Sequence, residues 1–203
     1  MKNVIVSAGI YYNQYKKLNF FYDEDILELL KILGLSIFPI NNSKKLDYKL
    51  LKKCDGLILM GNGDITHIND TKLNRIRDKI ERQLYKYFYE NDKPILAICR
   101  GFQNIMDYYD IPLFKLGGHV RTTHNLQVRN SKFINFKNLK VNSYHNFSLK
   151  TLPKNFLEIS RHKEESIEIA EHKIKKILCL MFHPERAMAS KKNIIKSLKN
   201  FFK

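Results

Sequence analysis

The sequence predicts an α/β fold, three layers deep, with a mostly parallel sheet between helices and a small antiparallel extension. Three observations predict it. Short, continuously apolar runs at 3–6, 35–40, 54–60, 94–98 and 177–182 are too uniformly hydrophobic for strands with one wet face, as expected of strands covered on both sides. Amphipathic stretches with apolar residues three and four apart alternate with these runs, as helices crossing between parallel strands would. Polar or glycine-bearing segments begin where several of the runs stop, and ligands on such sheets bind beyond the carboxyl ends of strands.

Taken in order, Asn3 to Val6 is a buried first strand. Residues 11–21 are aromatic and irregular and are expected to form a loop over one end of the sheet, a candidate lid. Asp23 caps a helix that turns Ile26, Leu27, Leu29, Leu30 and Leu33 inward, and Gly34 stops it in the left-handed conformation. The strand at 35–40 ends in a turn at Asn41, Asn42 and Ser43. The strand at 54–60 runs into Gly61-Asn62-Gly63-Asp64, where glycine lets the backbone approach a ligand or aim an N–H at one. From Thr71, the spacing of Leu73, Ile76, Ile80, Leu84, Tyr87 and Phe88 predicts an amphipathic helix of about five turns. Pro94 to Ile98 is the next strand, followed at once by a helix.

After Pro112 the pattern loosens. Residues 117–124 and 142–146 read as polar loops, with His119 to His124 a second candidate lid. The stretches 126–128, 133–136 and 139–141 read as the antiparallel extension. Two strands follow at 156–159 and 166–170, the second with Ile167 and Ile169 inward and Glu165, Glu168 and Glu171 outward. The last strand, 177–182, precedes a helix capped by Ser190, with Ile194, Ile195, Leu198, Phe201 and Phe202 facing the core. No repeat or Gly/Ser/Pro-rich linker interrupts the chain, so residues 1–203 are expected to form a single domain.

Composition narrows the function. No secretory pattern opens the chain and no apolar run approaches the ~18 residues needed to span a bilayer, so no membrane role is expected. Three widely spaced cysteines suit a reducing compartment, and a cytoplasmic location is expected. The formal charge of +16 invites a nucleic-acid reading, but only eight of the 36 basic residues are Arg, and the lysines are dispersed. Without a helix-turn-helix, zinc-finger or RNP-like string, no nucleic-acid partner is expected, and a small phosphorylated substrate suits the charge better. His119, His124 and His145 are the ingredients of a metal site, but no H-x-x-x-H or paired-Cys spacing supports one, so neither metal nor cofactor is expected.

The chemistry gathers on Cys99. The strand 94–98 runs into Cys99 and the following helix begins immediately, which exposes the thiol at a sharp strand-to-helix corner. Ala97 and Gly101, two residues to either side, are small enough for strand and helix backbones to approach there. The helix N-terminus favours a thiolate and leaves the Arg100 amide free to bind an oxyanion. A thiol nucleophile needs a base, and the base needs a third group to orient it. His183 follows the last strand and so lies at the same sheet edge. Glu185, two residues on in an extended segment, points to the same side and can brace the imidazole.

These features, with Gly61-Asn62-Gly63-Asp64, Val141 to His145, Ile167 to Glu171 and His183-Pro184-Glu185, resemble the class I glutamine amidotransferase-like group, and within it the free-standing γ-glutamyl hydrolases, along the whole chain. The resemblance implies a flavodoxin-like sheet and hydrolysis of a γ-glutamyl amide through a glutamyl thioester. Cys99 is then the nucleophile, His183 the base and Glu185 its orienting partner. The Arg100 amide and an amide of Gly61 or Asn62 form the oxyanion hole. Gln103 holds the glutamyl moiety, helped by His124, Ser143, Tyr144 and His145. Two departures stand out. The family's Pro-Gly-Gly is Met60-Gly61-Asn62, which leaves open which amide completes the hole. Its Asn-Ser-x-His-His-Gln is Asn142 to Phe147, a change on the leaving-group side that argues against polyamine-derived substrates. The basic surface suits a nucleotide-linked leaving group, with Arg121, Arg129 and Lys44 as phosphate contacts. The alternatives are a glutaminase subunit feeding ammonia to a separate synthetase, a γ-glutamyl polyamine or aminobutyrate hydrolase, and a basic binding protein with a relic triad.

Overall fold

The computed structural model describes residues 1–38, 46–163 and 166–203. Its centre is a seven-stranded sheet in the order β11-β12-β13-β6-β5-β1-β4. The strands β4 (Leu35–Ile37), β1 (Lys2–Val6), β5 (Gly56–Leu59), β6 (Ile95–Ile98) and β13 (Ile177–Leu180) run parallel, and β12 (Ile167–His172) and β11 (Phe156–Arg161) add antiparallel at one side. Strand alternation divides the core in two. Val4, Val6, Ile58, Leu96, Ile98, Leu178 and Leu180 face α1 (Glu24–Leu33) and α5 (Lys191–Phe201). Ile5, Leu57, Leu59, Ile95, Ala97, Ile177 and Cys179 face α3 (Lys72–Glu90) and α4 (Arg100–Tyr108). Two covered faces account for the absence of polar alternation in the apolar runs.

The expected helices are present, with local corrections. Thr71 caps α3 by accepting from the Asn74 amide at 3.1 Å, and Gly34 ends α1 at φ 70°. Asp23 precedes α1 without a side-chain cap bond and accepts instead from Asn62 Nδ2 at 3.1 Å. Ser190 likewise caps no amide of α5, and its Oγ accepts from the Lys140 amide. Leu27, expected inward, is 43% exposed because it lies one residue off the stripe formed by Ile26, Leu29, Leu30 and Leu33. A short helix, α2 (Tyr48–Lys52), capped by Asp47, was not expected; a single turn carries too little periodicity to register. The turn at Asn41 to Ser43, Lys44 and Glu165 lie outside the described residues.

The larger corrections concern strands. Residues 11–21 are no irregular loop: β2 (Gly9–Tyr12) and β3 (Leu18–Phe21) pair as an antiparallel hairpin. The expected loops at 117–124 and 142–146 are largely strand, since β8 (Val120–Gln127) pairs with β9 (Asn138–Tyr144), while 133–136 forms none. The small strands β7 (Leu113–Lys115) and β10 (Phe147–Leu149) pair separately. Glu168 and Glu171, expected on a wet face, are 0% exposed, because β12 is an internal strand covered on both sides. Glu171 is satisfied there by the amides of Lys132 and Phe133 and the Ser131 hydroxyl.

Candidate active site

The parallel neighbours β13, β6 and β5 bring three segments to one sheet edge: His183 to Glu185, Cys99 and the Met60 to Asp64 loop. Cys99 has φ 45° and ψ −101°, a strained conformation for a residue with a Cβ, held by its amide bond to Leu180 O at 2.7 Å and by the first turn of α4. The tight corner requires Gly101, since a Cβ there would stand 2.5 Å from Leu59 O and 2.6 Å from Leu59 Cβ. Gly61 is needed for a different approach: a Cβ would meet His183 Cε1 at 2.6 Å and lie 3.5 Å from Cys99 Cβ.

Cys99 and the His183 ring flank Gly61 from two sides, and His183 Nδ1 lies 2.5 Å from Glu185 Oε1. Cys99, His183 and Glu185 are all buried. Burial alone would lower the imidazole, but Cys99 and Glu185 beside it outweigh that and raise His183 to about 10. The imidazolium is therefore favoured at neutral pH. The linked stability is fully present below the ordinary histidine value of 6.5 and is lost as pH rises through about 10. Asn142, to which the sequence assigned no role, fixes the backbone of His183: its Nδ2 donates to His183 O at 2.8 Å and its Oδ1 accepts from the His183 amide at 2.9 Å.

Behind the Gly61 loop lies a second arrangement that sequence reasoning missed. Arg77 donates to three successive carbonyls, Asn62 O at 2.6 Å and Met60 O and Gly61 O at 3.0 Å. In a trans peptide the N–H opposes the C=O, so the amides of Gly61, Asn62 and Gly63 are turned away from the guanidinium. Arg77 Nε also donates to Glu81, which accepts from Arg100 and Asn104; Arg100 reaches Asp78 at 2.6 Å and Asp64 O at 3.0 Å. Burial raises Glu81 toward neutrality, but the two guanidinium groups outweigh it and hold the carboxylate low. Burial and Arg100 push Arg77 down to about 10. The available signal was the presence of charged residues at 77, 78 and 81, on the same helical face as Ile80, Leu84 and Phe88.

The expected substrate residues divide. Gln103 is buried beside Cys99 on α4, its Nε2 donating to Phe147 O at 3.0 Å. The Tyr144 ring stands edge-on to His183, with centroids 5.7 Å apart, and carries Arg186 on its other contact at 4.6 Å. Ser143 is buried and donates to His119 O at 2.6 Å. His124 and His145 converge on Glu168 and His119 rather than facing the solvent. Arg121 is exposed at a bulge of β8 with φ 57°. Arg129 lines a groove with Lys140, Glu158 and Arg161 whose walls include neither Cys99 nor His183, so the structure does not bring it to the thiol.

A flavodoxin-like sheet with a cysteine elbow, a glycine loop and a post-strand histidine at one edge defines the class I glutamine amidotransferase-like proteins. The chain belongs to that class through the Peptidase C26 family, which matches residues 26–185. It is 30% identical over 173 residues to the gamma-glutamyl-CDP-amidate hydrolase of Campylobacter jejuni, covering 85% of this chain and 82% of that one. It is also 27% identical to a glutamine-hydrolyzing GMP synthase subunit of Methanosphaera stadtmanae, over 81% of this chain and 83% of the relative. A glutamine amidotransferase from Thermotoga maritima shares the fold, with a TM-score of 0.69 at 17% identity over 98% of this chain and 83% of that structure. The protein is a glutamine amidotransferase-like hydrolase. Among the described residues no helix is long and apolar enough to cross a membrane.

Proposed function

We propose that this chain hydrolyses a γ-glutamyl amide with Cys99 as nucleophile, His183 as acid and base, and Glu185 as the residue that orients His183. The observation that carries the reading is that Cys99, His183 and Glu185 are gathered, all buried, at the carboxyl ends of neighbouring strands, with His183 bonded to Glu185 and its proton held by the charges of Cys99 and Glu185. The Cys99 thiolate attacks the γ-carbonyl carbon, and the oxyanion forms against the Arg100 amide and an amide of Gly61 or Asn62. The His183 imidazolium then gives its proton to the leaving nitrogen as the C–N bond breaks, leaving a glutamyl thioester. Neutral His183 takes a proton from water, the resulting hydroxide attacks the thioester, and the C–S bond breaks to release glutamate and restore the ion pair. Gln103 holds the glutamyl group beside the elbow.

For the leaving group we propose a nucleotide diphosphoramidate, so that γ-glutamyl-CDP-amidate gives cytidine diphosphoramidate and glutamate, in the cytoplasm, as a step of capsule modification. The name of the Campylobacter relative and the net charge of +16 support it. Supplied separately with γ-glutamyl-CDP-amidate and glutamine, the isolated chain is expected to show a kcat/KM at least about tenfold higher for the first, a difference of about 1.4 kcal/mol in transition-state binding. Glutamine turned over as well as the nucleotide compound would remove this leaving group. The GMP synthase relative favours a second reading, a glutaminase that supplies a synthetase, and glutamine hydrolysis that is weak alone but rises on adding a partner would support it.

The pH profile tests the role of Glu185. Acylation requires the His183 imidazolium, so kcat/KM is expected to fall on the alkaline side near pH 10. Glu185→Gln removes a charge that favours the imidazolium, and the alkaline limb should move to lower pH. An unmoved limb would show that Glu185 does not act through His183.

A further inference from the structure

We propose that His119, His124, His145 and Glu168 form a binding site for one divalent transition-metal ion, zinc by its geometry. The four residues come from the loop just before β8, from β8 itself, from the β9 to β10 turn and from β12. Each presents one ligand-capable atom within 4.8 Å of the others, and all four are buried. Three imidazole nitrogens and one carboxylate oxygen are a common zinc donor set.

The internal distances fit a shared cation better than a hydrogen-bonded cluster. Glu168 Oε1 lies 3.2 Å from His124 Nδ1 and 3.3 Å from His145 Nε2. Neither nitrogen meets hydrogen-bond geometry, and both remain without a hydrogen-bond partner, as does Glu168 Oε2. In a tetrahedron, ligand atoms stand about 1.6 bond lengths apart, so zinc–nitrogen and zinc–oxygen bonds of about 2.0–2.1 Å set them roughly 3.3 Å from one another. Two of the pairs already have that spacing.

The outer contacts point the same way. His145 Nδ1 lies 3.2 Å from Phe147 O. A carbonyl only accepts, so Nδ1 carries the hydrogen, and in the neutral ring Nε2 turns a lone pair toward the carboxylate. Two acceptors facing each other in a buried site repel unless a cation lies between them. Ligating histidines are oriented in this way, by donating the other ring hydrogen to a backbone carbonyl, and ligating carboxylates are themselves hydrogen-bonded. Glu168 Oε1 accepts from Ser166 Oγ at 2.7 Å, and Ser166 is in turn paired with Ser148 at 2.5 Å. The His162 ring stacks on His124 at 3.9 Å between centroids and limits its rotation. A cleft lined by Gly117, Gly118, Thr122 and His162 reaches His119 and His124, which gives the ion a way in.

With four protein ligands the site is closed, the form that structural zinc takes. It would clamp the β8 to β9 hairpin onto β12, and that hairpin carries Asn142, which holds the backbone of His183. The untagged full-length chain, stripped with a chelator and titrated with zinc chloride, is expected to bind one equivalent and to melt at a higher temperature. Cobalt in place of zinc should show the strong visible absorption of a tetrahedral centre. His145→Asn is expected to weaken zinc binding by about a hundredfold or more. Ser166→Ala, which keeps all four ligands and spares the fold if His145→Asn does not, should weaken it about tenfold. A stripped chain that takes up no stoichiometric zinc would overturn the proposal and leave a buried imidazole and carboxylate cluster only. Unchanged zinc affinity in both variants would overturn it as well.

Discussion

Replacing Cys99 with alanine is expected to lower kcat/KM for the γ-glutamyl substrate by about 10⁴-fold or more, since residues acting as one catalytic unit lose most of the rate when the nucleophile goes. The size follows from the geometry. Cys99 occupies a strained corner at φ 45°, reached by a close helix-to-strand approach that excludes any side chain at Gly101, and the buried His183 ring faces the same Gly61 position. An alanine methyl group keeps the backbone and the packing but cannot form the thioester. The variant should retain its melting temperature within a few degrees. Mass spectrometry of wild type quenched during turnover should find a glutamyl adduct on Cys99, absent from the variant. Turnover by Cys99→Ala within tenfold of wild type would sink the proposed chemistry, whatever the substrate.

The largest effect on stability is expected away from the thiol, at Glu81. This residue is 1% exposed and accepts from Arg77, Arg100 and Asn104. Glu81→Gln keeps the shape but leaves two buried guanidinium groups facing Asp78 alone, and losing one partner of a buried ionic pair costs about 3–5 kcal/mol. For a chain of this length each kcal/mol shifts Tm by about 2–4 °C, so a fall on the order of 10 °C is expected by calorimetry. Activity should fall too, because Arg77 grips the carbonyls of Met60, Gly61 and Asn62 and Arg100 adjoins the nucleophile. The exposed pair of Lys86 and Glu90, 3.9 Å apart, supplies the control: Glu90→Gln should change stability by less than about 0.5 kcal/mol. A Glu81→Gln Tm as close to wild type as that of Glu90→Gln would show that the network does not hold the fold.

Legibility followed the kind of signal each element carries. The parallel strands and the three longer expected helices announce themselves by continuous apolar runs and by residues three and four apart, because a face buried against a neighbour must be apolar wherever it repeats. The hairpin β2 to β3 escaped because its two four-residue aromatic strands are too short to show a repeat, and the start of β8 because residues 120–123 are all exposed. Glu168 and Glu171 were turned outward on the rule that carboxylates seek water. That rule fails where a carboxylate has partners inside, and those partners, His124, His145 and Ser131 among them, lie tens of residues away.

By itself the sequence determined the α/β class, the strand-to-helix corner at Cys99 and the sheet edge shared by Cys99, Gly61 and His183, since these follow from local pattern and from the parallel sense of the strands. Only the tertiary structure decided that Asn142 steadies His183, that Arg77 and Glu81 brace the Gly61 loop, and that three histidines without metal-like spacing meet at one carboxylate. Those groups come from separate elements. Their meeting depends on the order and twist of strands in space, which no spacing along the chain encodes.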